Sequence, residues 1–80
     1  MKLRGLYEQL SELLHGLDYL FVSHSFYSTR AGEVRESIRI NFDREDQALF
    51  LLPSILSYCS GIQGVRVDRY HYEINIEMEA

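Results

Sequence analysis

The sequence has no tryptophan, one proline and a single cysteine, Cys59. One thiol cannot close an internal disulfide. Secreted domains of this size normally need such staples, so a cytoplasmic location is expected. Basic residues are also short: eight Lys and Arg stand against twelve Asp and Glu, a net charge of −4. Phosphate contacts dominate the affinity of nucleic-acid-binding domains, so this balance argues against nucleic acid, although it leaves room for a local basic patch. Long apolar runs are missing too. Glu8 and Glu12 interrupt the first apolar stretch, unlike a signal peptide. The uncharged stretch from Gln47 to Gln63 contains Pro53, Gly61 and several polar residues, and is too short and too polar to span a bilayer. The five glycines stand singly, with no G-x-G-x-x-G or P-loop spacing.

What is present suits one globular domain over residues 1–80, with 46% apolar and 25% charged residues. A chain this short buries only about 60–65% of its unfolded surface. That leaves little core in which to enclose an active site.

The first periodic element is Leu3, Leu6, Tyr7, Leu10, Leu13, Leu14 and Leu17, the spacing of an amphipathic helix, with Gly16 as its stop. From Tyr19 to Thr29 the period changes to two. Leu20, Val22, His24 and Phe26 share one face; Phe21, Ser23, Ser25 and Tyr27 share the other. Arg30, Ala31 and Gly32 predict a turn into a second strand, Glu33–Phe42, with Val34, Ile38, Ile40 and Phe42 on its apolar side. Asp43 is the expected N-cap of a second helix, with Glu45 and Asp46 suiting its dipole. Ala48, Leu49, Leu52, Ile55, Leu56 and Cys59 form its stripe. The stripe keeps phase through Pro53, which predicts one kinked helix rather than two. A last strand from Val65 to Met78 changes parity near Asp68, as a β-bulge would.

The expected fold is an α+β two-layer sandwich in the order α-β-β-α-β. Its three-stranded, mainly antiparallel sheet has the first strand in the middle and both helices on one face.

No chemical constellation emerges. His15, His24, His71 and Cys59 have no zinc spacing. Cys59 closes a helix, where the dipole disfavours a thiolate. Ser23, His24 and Ser25 are strand neighbours and point to opposite faces. The pairs Glu45/Asp46 and Glu73/Glu77 suit a helix start and a solvated strand face. No catalytic residue, metal or cofactor is expected. An enzyme or ligand sensor would need a pocket around His24 or Cys59.

The feature that stands out is the sheet face away from the helices. Phe21, Tyr27, Arg35, Arg39, Arg69 and His71 are expected there, and aromatics and arginine are enriched at interface hot spots. A protein-interaction module is therefore expected: an adaptor, inhibitor or immunity-type protein whose partner is another protein or a second copy of itself. The alternative is single-stranded nucleic-acid binding, with Tyr27 and Phe21 stacking bases and the arginines meeting phosphates.

Overall fold

Leu3, Leu6, Leu10 and Leu14 recur at helical spacing. In the computed structural model, which describes residues 2–17 and 21–80, they are the buried face of α1 (Arg4–Leu13). Gly16 takes a positive φ of 87° just beyond it, as a left-handed stop requires. Leu17, expected on the stripe, lies past the helix and is exposed. The expected strand's first residues, Tyr19 and Leu20, lie outside the described residues.

A hairpin follows: β1 (Phe21–Ser28) and β2 (Val34–Asn41), antiparallel and in continuous register from Phe21↔Asn41 to Ser28↔Val34. The Thr29 amide donates to the Glu33 carbonyl, the Gly32 amide donates to the Thr29 carbonyl, and Gly32 has φ 85°. That is a three-residue loop closed by a left-handed glycine, at the position Arg30-Ala31-Gly32 predicts.

Helix α2 (Glu45–Cys59) is one element that runs through Pro53. Its cap differs from expectation. Arg44 is the N-cap, and the Gln47 side chain folds back to accept from the Asp43 and Arg44 amides. A side chain already inside the helix thus reaches back to the two amides that precede it, the N3 half of a capping box, rather than Asp43 reaching forward to the first-turn amides.

The largest departure is at the C-terminal end. The expected strand Val65–Met78 is a second hairpin, β3 (Arg66–Tyr70) and β4 (Glu73–Glu79), so the sheet has four strands in the order β1-β2-β4-β3. All its neighbouring pairs are antiparallel. The turn holds two residues, His71 and Tyr72, and His71 supplies a positive φ of 54°. Across a two-residue turn, facing partners differ by an odd number, as in Val67↔Ile76. The parity change near Asp68 is this turn and not a bulge. β4 sits between β2 and β3, which moves β1 from the expected centre of the sheet to its edge.

Both helices cover one face. Ile38 and Ile40 of β2 and Ile74 and Ile76 of β4 are fully buried beneath α1 and α2, together with Leu3, Leu10 and Ile55. Each such side chain contributes about 1.5–3 kcal/mol of burial. This single core fixes which sheet face is left uncovered.

Candidate contact surface

Strand register orders the uncovered face into rows. Phe21, Asn41, Glu73 and Tyr70 form the first row; Ser23, Arg39, Asn75 and Asp68 form the second. Ser25, Ser37, Glu77 and Arg66 make the third, and Tyr27, Arg35 and Glu79 the fourth. Of the expected contact residues, Phe21, Tyr27, Arg35 and Arg39 stand together on this face.

Arg69 and His71 do not. Arg69 pairs with Ile74 and so points to the helix side. Its Nη1 lies 3.8 Å from Glu45 at the start of α2 and donates to the His71 carbonyl. His71 sits in the turn, with Nδ1 3.6 Å from Glu45. Both were expected on the open face because a strand unbroken beyond Asp68 gives Arg69 and His71 the side of Glu73 and Asn75, and the turn at His71 and Tyr72 breaks that alternation.

The arginines of the face, with Tyr27, Ser37 and Asn75, are already paired. Tyr27 donates its hydroxyl to Glu77 Oε2 at 2.6 Å, and Asn75 donates to the same oxygen. Ser37 donates to Asn75. Arg35 Nε is buried without a hydrogen bond among the described residues, 3.6 Å from Glu77 Oε1. Arg39 lies 3.6 Å from Glu73, and Arg66 lies 2.7 Å from Asp68. Exposed pairs of this kind contribute only about 0–1 kcal/mol each. They do mean that every arginine of the face has a carboxylate beside it.

The Tyr27 phenol is held above its ordinary value of 10.0, first by its hydrogen bond to Glu77, then by burial and by the Glu77 charge. Losing the proton would break that bond and set two negative charges together. Glu77→Gln is therefore expected to bring the Tyr27 titration down toward 10.0. The measurement is an NMR titration of ring-labelled tyrosine, with Tyr27→Phe assigning the signal. An unmoved Tyr27 midpoint would contradict the network.

Sequence reasoning missed two features. The first is a polar knot on the helix side. Glu36 is fully buried, and its carboxylate accepts from the Lys2 and Leu3 amides and lies 2.6 Å from His24 Nε2. A carboxylate only accepts, so the imidazole donates from Nε2. Burial alone would raise the Glu36 carboxyl, but the bonds from His24, Leu3 and Lys2 outweigh it, and the group is held below its ordinary range. The sequence signal was Glu36 itself, the one charged residue on the apolar side of β2.

The second is the outer face of α2. Leu49 and Leu56, expected on the buried stripe, are half exposed, and Phe50 is 82% exposed. Only Ala48, Ile55 and Cys59 of that helix are fully in the core. The absence of charge between Gln47 and Gln63 was the available signal.

One open groove of about 320 Å³ runs between the end of α2 and β3, lined by Leu56, Cys59, Ser60, Ile62, Val65 and Val67. Burial pushes the Cys59 thiol up, so it is a poor nucleophile near neutral pH. His24, the other candidate, is engaged with Glu36 and packed against Tyr7 and, edge-on, against Phe26, with ring centres 5.5 Å apart in each case. Among the described residues no helix is long and apolar enough to cross a membrane.

Compared with known protein families, curated proteins and solved structures, the chain matches none.

Proposed function

We propose that this chain is a small non-enzymatic protein-interaction module of the cytoplasm, an adaptor, inhibitor or immunity-type protein that acts by covering part of a partner protein. The observation that carries the reading is where its aromatic residues lie. Among the described residues only Phe42 joins the core and Tyr7 is half buried, while Phe21, Phe26, Tyr27, Phe50, Tyr58, Tyr70 and Tyr72 are exposed. Aromatic side chains normally supply core bulk. A small domain that builds its core from Leu and Ile and leaves its rings outside is equipped for contact. Phe21, Phe26 and Tyr27 concentrate on β1, which makes that edge and the adjoining open face the favoured surface.

Base stacking on Phe21, Tyr27 and Tyr70 is the weaker reading. Arg35, Arg39 and Arg66 are each set against Glu77, Glu73 or Asp68, and phosphates would have to displace those carboxylates.

The test is affinity capture from a lysate of the source cell, read by mass spectrometry, for wild type against Phe21→Ser/Tyr27→Ser and Arg39→Glu. Hot-spot aromatics contribute about 2 kcal/mol or more each, so the double variant is expected to lose a captured protein by at least about tenfold. Equal recovery by all three folded proteins would remove this surface from the proposal.

A further inference from the structure

The two edges of the sheet are not alike. β3 has five residues, of which Arg66, Asp68 and Arg69 are charged. Short length and charge are the usual guards against edge-to-edge pairing. β1 has neither. Its eight residues, FVSHSFYS, include no Asp, Glu, Lys, Arg or Pro, and its register with β2 has no bulge. Among the described residues no strand lies on its outer side.

Hydrogen bonding at the loop identifies which groups face outward. The Thr29 amide points at the Glu33 carbonyl, so alternate residues Tyr27, Ser25, Ser23 and Phe21 also turn their amides and carbonyls to β2. Across the hairpin, the Ala80 amide donates to the Val34 carbonyl, so Val34, opposite Ser28, points away from β1. Val22, His24, Phe26 and Ser28 therefore present free N–H and C=O groups to the outside.

We infer that β1 pairs antiparallel with β1 of a second copy about a two-fold axis at Ser25, joining two four-stranded sheets into one. This rests on reading β1 as a contact edge, and it names the partner. Symmetry allows a few registers, and they differ in what they satisfy. Centring on Ser25 places Val22 opposite the partner's Ser28 and His24 opposite the partner's Phe26. All four outward residues are then paired, each pair exchanging two backbone bonds. Among the described residues, centring on His24 pairs Val22, His24 and Phe26 alone, and centring on Phe26 sets Val22 opposite Arg30 in the loop. The Ser25 register also sets small against large along the seam: Ser23 faces the partner's Tyr27, and Phe21 faces the partner's Thr29. No carboxylate lies on the paired strands, so an acidic chain can meet itself there without like charges in contact.

The experiment is sedimentation equilibrium of the full chain, with Ser25→Lys, Ser25→Glu and Ser25→Thr. Wild type and Ser25→Thr are expected at twice the 9.4 kDa chain mass. Like charges directly opposite one another are destabilising, so each charged variant is expected to dissociate with a constant raised about tenfold or more. An equimolar mixture of the two charged variants should dimerise again, because lysine then faces glutamate. That recovery also establishes that both variants fold. A monomeric wild type overturns the second copy as partner, yet leaves capture of another protein by β1 to be judged by the Phe21/Tyr27 variant. A dimer unaffected by either charge overturns the Ser25 seam.

Discussion

Replacing Glu36 with alanine is expected to cost about 3–5 kcal/mol, because each buried donor left without its acceptor costs about 1–3 kcal/mol. The change strands the Lys2 and Leu3 amides and His24 Nε2 together, and it opens a void where a fully buried side chain sat. A domain of this length has about 4–12 kcal/mol in total, so Glu36→Ala should be largely unfolded at moderate temperature. Glu36→Gln retains an acceptor oxygen and should lose less, about 1–3 kcal/mol. Urea unfolding followed by circular dichroism measures both, and a Glu36→Ala midpoint equal to wild type would contradict the knot. The same carboxylate predicts a pH dependence. Its folded value lies below its ordinary 4.5, so its contribution is fully present above that value and is lost as the pH falls through the lower folded value. Glu36→Gln should flatten this acid limb.

The consequence reaches the contact edge. Glu36 lies on β2, accepts from the residues that start α1, and binds His24 of β1. One side chain thereby locks the first helix and the edge strand into a common position. Phe26, packed edge-on against the same imidazole at 5.5 Å, depends on it as well. Loss of the knot should therefore loosen the surface proposed for contact before it disturbs β3 and β4, a sequence that hydrogen exchange resolves.

Much of this architecture was legible in the residues, because period-two and helical patterns report burial directly. The leucine stripe of α1, the alternation of Val34 to Phe42 and the turn at Gly32 each correspond to an observed element. The second hairpin was not legible, for a specific reason. Two-residue turns are recognised by glycine or asparagine, and His71 takes the positive φ instead. Missing that turn cost a strand, placed β1 in the centre rather than at the edge, and put Arg69 and His71 on the wrong side. The outer face of α2 misled for another reason. Leu49 and Leu56 satisfy helical periodicity as well as Ile55 does, and periodicity cannot tell a buried stripe from an apolar face left in solvent. Phe21, Tyr27, Arg35 and Arg39 were placed together correctly because strand parity alone determines their side, wherever β1 lies in the sheet.

Pro53→Ala is expected to stabilise the chain by about 2 kcal/mol. Proline inside a helix removes one backbone bond and crowds the carbonyl four residues back, at about 3 kcal/mol relative to alanine. Alanine also gives the unfolded chain more freedom, which returns up to about 1 kcal/mol of that gain. Pro53 is exposed, lies eight residues into a fifteen-residue helix, and leaves the Leu49 carbonyl without its amide. For a domain of this size the net gain corresponds to a rise of roughly 10 °C in melting temperature, and calorimetry that finds no rise would show that the helix already absorbs the proline without cost. The larger interest is in comparison with function. Pro53 lies among Leu49, Phe50 and Leu56 on the uncovered side of α2, in the layer opposite the open sheet face. If partner contact runs through β1 and that face, Pro53→Ala should capture partner as well as wild type does while melting higher. If capture is lost in a more stable protein, the contact belongs to α2, and the proline is kept for the surface it shapes rather than for the fold.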